Sequence, residues 1–240
     1  GGAAGLFCAG VAGQLGKKVL VLDHAEVLGE KIRISGGGRC NFTNLHSNPA
    51  NFLSLNQHFV KSALARYPSA EFIKLVTAHG IRYHEKHQGQ LFCDDSAKQI
   101  IEMLFAECAK GQVIIRHPVV VEKISRDGEF WSVHTSSGIE KTKAIVMATG
   151  GLPVPAIGAT AYSLDIAKQF NIRVVDPRPA LVPLSFTSDT FGNLNDLSGL
   201  SVPVQIAAGL KGNRYGACHF YEDLLLTHKG LSGPAVLQAS

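Results

Sequence analysis

The sequence predicts an α/β protein built on a parallel sheet, and three stretches predict it. Ala3 to Gly16 (AAGLFCAGVAGQLG) is small and apolar, the composition of a helix packed closely on a sheet. Lys18 to Asp23 (KVLVLD), directly after it, reads as a short strand buried on both faces. Lys143 to Ala148 (KAIVMA) is a second such strand, running straight into Thr149-Gly150-Gly151.

The remaining elements follow in chain order. Leu28 to Asn44 is a Gly-rich loop, and two helical patterns succeed it, Asn56 to Tyr67 and Ser69 to His79, broken at Pro68. Ser96 opens a further helix (SAKQIIEMLFAECAK) that Gly111 is placed to stop. Val113 to Arg116, Val119 to Ser125 and Phe130 to Thr135 read as strands, the last two joined through an Asp127-Gly128 hairpin turn. Beyond about Pro177 the texture changes to prolines at 177, 179 and 183 and short β-like pieces between Gly, Asn and Asp, which sets a domain boundary there.

Composition narrows the class. With 240 residues, 45% hydrophobic and 18% charged, the chain can bury a substantial core. No apolar run reaches the roughly 18 residues that span a bilayer, so no membrane partner is expected. The cysteines at 8, 40, 93, 108 and 218 are odd in number and form no CxxC, the pattern of free thiols in a reducing cytoplasm. A net charge of +4 permits a polyanion such as RNA, but no Lys/Arg block demands one.

Two glycine clusters carry the chemistry. Gly1-Gly2-Ala3-Ala4-Gly5 reads as a GxGxxG fingerprint without its leading Gly, a backbone that lets a pyrophosphate approach a helix N-terminus. Such a clipped pattern also describes a tight turn. Asp23 lies 18 residues past Gly5 at a strand end, where an acid accepts hydrogen bonds from an adenosine ribose, and it favours the nucleotide reading. The second cluster is Ser35-Gly36-Gly37-Gly38-Arg39-Cys40-Asn41. Three consecutive glycines carry a large entropic cost, which a backbone pressed against a flat or anionic ligand would explain, with Arg39 as a fixed donor fork.

The stretch Gly29 to Asn44 (GEKIRISGGGRCNFTN) closely resembles the signature of the BaiN/RdsA (YhiN-like) family of bacterial NAD(P)/FAD-dependent oxidoreductases. Gly89 to Asp95 (GQLFCDD), Ala148 to Gly151 (ATGG) and Thr227 to Pro234 (THKGLSGP) are similar to it as well, so the resemblance runs the length of the chain. It implies a two-dinucleotide-binding-domain flavoprotein. Residues 1–178 would form a Rossmann-like FAD-binding domain lacking its first strand, and residues 179–240 the start of an inserted β-rich domain, the whole a truncated member. By resemblance, FAD is held by Gly2, Ala3, Ala4 and Gly5, by Asp23, by Lys31 and Ser35 to Asn41, by the backbone of Val121, and by Thr149, Gly150 and Gly151.

The same resemblance implies hydride transfer from NAD(P)H through the flavin to an activated C=C bond. That bond belongs either to a uridine of 23S rRNA, giving dihydrouridine, or to an unsaturated steroid-like small molecule. The stretches QHFVKSALARYPSAEF and QLFCDDSAKQI are more similar to the RNA-modifying branch. A fragment that keeps the fold without turnover is the non-enzymatic alternative.

Acid–base residues are less legible. Cys40 is the one catalytic candidate, as a proton donor, against the plainer role of a small packed thiol. His84 and His87 stand three residues apart without a third ligand, so no metal is expected. His228 reads as structural, Pro234 suits a first helical turn, and Ser232 lacks the partners of a nucleophile.

Overall fold

The computed structural model describes residues 1–52, 54, 56–186, 194–209 and 218–240. The chain divides into two compact units, Gly1–Val174 and Val175–Ser240.

In the first unit, α1 (Ala3–Gln14) leads into β1 (Leu20–Leu22), then α2 (Glu30–Ile34) and β2 (Asn41–Asn44). Helices α3 (Lys61–Arg66) and α4 (Ser69–Ala78) precede the short strands β3 (Tyr83–Glu85) and β4 (Gln90–Cys93). Next come α5 (Lys98–Lys110), β5 (Ile114–Arg116), the meander β6 (Val121–Asp127), β7 (Phe130–Thr135) and β8 (Gly138–Thr142), and α6 (Tyr162–Gln169). Strand β1 pairs in parallel with β5, Leu20 opposite Ile114, so the chain from α2 to α5 forms the crossover of an α/β unit. Two antiparallel sheets flank it, in the orders β2-β4-β3 and β6-β7-β8.

The core gathers Leu6, Ala9, Val21, Ile32, Val76, Ile81, Ile100, Met103 and Leu104, together with Cys40, Cys93 and Cys108. Its closest approach is between helices. A Cβ on Gly13 would lie 2.4 Å from the Gly111 carbonyl oxygen, and one on Gly10 would lie 3.3 Å from the Glu107 backbone. The small residues of α1 therefore serve its crossing with α5, in addition to its packing against β1. Gly111 does cap α5, yet at φ −83°, so the absent side chain and not left-handed geometry explains it.

Several expected elements differ. The Gly-rich loop holds α2 and β2, because Gly29 takes a left-handed turn (φ 74°) that lets the Glu30–Ile34 run wind before the glycines. The helix expected from Asn56 begins at Lys61. The Asn56 side chain accepts from His58 N–H and its carbonyl from Phe59 N–H, a local turn that competes with helix. Residues 143–148 form no strand, and Val146 is 66% exposed. A parallel strand exists only through a neighbour's hydrogen bonds, and no described strand pairs with this segment. The hairpin forms as expected, Asp127 paired with Phe130 and Gly128 at φ 59° in the two-residue loop.

The second unit is an antiparallel sheet, β10-β11-β12-β9, from β9 (Leu184–Ser185), β10 (Ser201–Ala208), β11 (Cys218–Thr227) and β12 (Gly230–Ser232). Strand β10 alternates exposed and half-buried residues, the pattern of a sheet with one covered face. Helix α7 (Pro234–Ala239) carries Pro234 in its first turn and fully buries Ala235 and Val236. Thr227, not His228, ties the turn from β11 to β12, its hydroxyl donating to the Gly230 carbonyl.

Candidate dinucleotide site

Four pieces of sequence converge at the N-terminal end of α1. Gly2 is the N-cap residue and contributes no side-chain cap, and the first turn is Ala3, Ala4 and Gly5. No described atom lies within 4 Å of the place a Cβ would take on Gly2, and no side chain caps the first-turn N–H groups. A Cβ on Gly5 would meet the Ala148 side chain at 3.4 Å, which sets the Ala148–Gly151 segment beside this turn.

Asp23 follows β1 directly. Its Oδ1 accepts from Ala25 N–H at 2.8 Å. The Gly1 carbonyl accepts from Gly29 N–H at 3.0 Å, which fastens the start of α2 to the glycine turn. From α2, Lys31 Nζ donates to the Gly151 carbonyl at 2.9 Å and lies 3.7 Å from the Cβ position of Gly150 (φ 76°). One ammonium thus joins the Lys-to-Asn segment to the Thr149–Gly151 turn, 120 residues apart.

The triple-glycine loop is held by its backbone. Gly36, Gly37 and Gly38 all have positive φ (57°, 66° and 85°). A Cβ on Gly36 would strike the Phe92 ring at 2.7 Å and Asn41 N at 2.9 Å, whereas at Gly37 it would point into open space. Ser35 Oγ donates to the Ile32 carbonyl, the Gly38 carbonyl accepts from Ala97 N–H at 2.7 Å, and the Arg39 carbonyl accepts from Cys93 N–H. Arg39 Nη1 donates to the Asp94 carbonyl at 2.6 Å, so its fork braces the loop against the turn after β4. Cys40 is 6% exposed with φ 51°, and burial pushes its thiol up despite a contact with Ser35. Asn41 opens β2 opposite Phe92.

Val121 starts β6, the edge strand of the meander, paired with Thr135. Its link to the site runs through Asp23, whose carbonyl accepts from Val119 N–H at 2.8 Å. Sequence reasoning missed Phe92 and Asp94, which wedge and brace the glycine loop. The family-like GQLFCDD stretch was their only signal. It also missed His24, whose Nε2 lies 2.9 Å from the Cβ position of Gly158. His84 Nδ1 contacts Asp94 Oδ1 at 2.8 Å, and among the described residues no group of three or more His, Cys, Asp or Glu is placed to hold a metal.

These residues fit a dinucleotide. An uncapped helix turn with free N–H groups suits a pyrophosphate, an acid stands past the first strand, and a left-handed glycine run leaves room for a flat ligand. The sequence profile of the HI0933-like protein Rossmann domain matches residues 1–233. The chain belongs to the HI0933-like family. Within that family it is 50% identical to a ribosomal RNA dihydrouridine synthase of Haemophilus influenzae, over all of this chain and 59% of that protein. It is 46% identical to a ribosomal RNA dihydrouridine synthase of Escherichia coli, over all of this chain and 58% of that one. A 3-dehydro-bile acid delta(4,6)-reductase of Clostridium scindens is 24% identical over the same span, 58% of its length. The chain therefore spans somewhat under three-fifths of the curated relatives it matches. No helix among the described residues is long and apolar enough to cross a membrane.

Proposed function

We propose that the protein is a cytoplasmic, FAD-dependent oxidoreductase that moves hydride from NAD(P)H to a uridine of 23S ribosomal RNA, giving dihydrouridine. The observation that carries this reading is the 50% identity to a ribosomal RNA dihydrouridine synthase across the whole chain. The Lys31–Gly151 bridge, which joins α2 to the Thr149–Gly151 turn, agrees with it.

In this reading the N–H groups of Ala3, Ala4 and Gly5 receive the pyrophosphate and Asp23 the adenosine ribose. The Val121 backbone would meet the adenine, while Ser35 to Asn41 and Thr149 to Gly151 would line the flavin. The flavin supplies the relay of hydride between donor and acceptor, and the protein binds, orients and excludes water. Burial pushes the Cys40 thiol up from its ordinary value, which agrees with its candidacy as a proton donor. The first unit is then the FAD-binding domain and the second the start of a β-rich inserted domain.

The test is chemical. Full-length protein should be yellow and oxidise NAD(P)H, and ribosomal RNA from a deletion strain should lack two hydrogens at one uridine by mass spectrometry. Unchanged RNA from that strain overturns the rRNA assignment. The C. scindens relative favours a second reading, reduction of an unsaturated steroid-like acid. Turnover of such an acid, with RNA inert, would establish it instead.

A further inference from the structure

The three-stranded sheet β2-β4-β3 begins where the triple-glycine loop ends, and its two faces differ sharply. Tyr83 lies opposite Cys93 on the core side, where Tyr83 meets Phe42 edge-on at 5.5 Å and Cys93 is fully buried. The next row, Asn41–Phe92–His84, runs straight across all three strands on the opposite face. Arg82 and Lys86 share that face with His84 by the two-residue period of β3 and its continuation.

Phe92 points outward yet is only 8% exposed, because the glycine loop and two basic side chains cover it. Gly36 presses on one edge, the His84 ring stacks at 6.4 Å and 21°, and Lys86 Nζ stands 5.4 Å from the ring centre. Asp94 holds His84 in that orientation from behind through Nδ1, and the His84 side chain keeps 47% of its exposure. Arg82 is 74% exposed and reaches Asp95 at 3.2 Å, an exposed pair worth little and readily exchanged for a phosphate. This face thus carries Lys86, the exchangeable Arg82–Asp95 pair and an oriented imidazole plane beside the Ser35–Asn41 loop.

We propose that this face holds the single-stranded RNA segment bearing the target uridine, Lys86 and Arg82 meeting its phosphates and the open side of the His84 ring stacking on a base. The inference rests on the rRNA reading above and adds the surface that delivers the RNA. Charge complementarity favours this occupant: a phosphodiester chain matches cations spaced along a strand, and bases stack on a flat, pre-oriented ring. Contiguity with the Ser35–Asn41 loop places a base held here next to the flavin.

The experiment is filter binding of an unmodified 23S rRNA transcript to the full-length protein across a salt series, with flavin content and Tm recorded for each variant. Lys86→Glu with Arg82→Glu should weaken binding at least tenfold at low salt and flatten the salt dependence by about one unit of slope per cation lost. His84→Ala should weaken it severalfold with the slope unchanged, because stacking releases no counterion. Lys123→Glu on β6 is the control for net charge and should stay within twofold of wild type. Equal losses in Lys86→Glu and Lys123→Glu, or wild-type binding in the Arg82/Lys86 pair, overturn the docking face while leaving the rRNA reading intact. A wild-type protein that binds no rRNA overturns both. Should the double variant fold poorly, Lys86→Gln and Arg82→Gln taken singly give the same discrimination.

Discussion

At the scale of single residues, the glycine loop separates two reasons for lacking a side chain. Gly36 is enclosed, since a methyl group there collides with the Phe92 ring and Asn41 N. Gly37 is open to space, so its only intrinsic obstacle is a left-handed φ of 66°. Gly36→Ala should therefore lower Tm substantially, the clash adding to backbone strain of about 1–2 kcal/mol. Gly37→Ala should cost stability only by that strain but lose flavin affinity at least tenfold, because the methyl enters the space assigned to the cofactor. Flavin fluorescence titration with parallel melting curves checks the pair; normal flavin affinity in Gly37→Ala would move the cofactor elsewhere. Lys31 poses a related question. Its ammonium carries the hydrogen bond from α2 to the Gly151 carbonyl, a charge-assisted contact worth roughly 1.5–3 kcal/mol when shielded and less at this exposed site. Lys31→Met should weaken flavin binding about tenfold while Tm falls by only a few degrees.

Between elements, α1, α4 and α5 are fastened by one carboxylate. Glu107 accepts from Gln14 of α1 at 2.8 Å and from Lys110 of its own helix at 2.6 Å, and it meets His79 Nε2, just past α4, at 2.7 Å. Burial raises the Glu107 pKa, but the contacts with Lys110, Gln14 and His79 prevail and bring it to about 2. A carboxyl depressed in the folded state stabilises above its unfolded pKa, here near 4.5, and that contribution fades as pH falls toward 2. Glu107→Gln should thus be less stable than wild type at pH 7 by on the order of 1–2 kcal/mol, reduced from the full shift by solvent screening. The difference should close between about pH 4.5 and 2, as urea titrations at several pH values would show. A gap constant down to pH 2 would mean the carboxylate acts by shape and not by charge. Elements of this kind also show what the sequence makes legible. Helix α1, strand β1 and Asp23 follow from local signals, small residues before a short apolar run that closes on an acid. The sheet β2-β4-β3 does not, because strands of three or four residues gain their identity from partners tens of residues away. The Lys143–Ala148 segment is the converse: its residues are those of a buried strand, yet no strand among the described residues forms a ladder with it. Site chemistry was legible where glycine or charge left a pattern. Phe92 and Asp94, whose roles depend on what the fold brings beside them, left only the family-like GQLFCDD stretch.

For the whole molecule, the division at Val174 and Val175 has a direct consequence. Every candidate cofactor residue, from Gly2 to Gly151, falls within the first unit, and so does the hydrophobic core around Leu6, Val76 and Leu104. The second unit builds its own sheet and buries Ala235 and Val236 of α7. If the cradle belongs to the first unit alone, residues 1–174 and residues 1–240 should take up FAD with the same affinity, within about twofold. Their circular dichroism should differ by the antiparallel β signal of the second unit. A shorter chain that folds with an unchanged melting transition yet binds FAD ten times more weakly would show that the second unit supplies a contact to the cofactor. The two outcomes assign the second unit different work. Equal affinity leaves it to the substrate, as a β-rich domain acting on the acceptor, and unequal affinity makes it part of the flavin site itself.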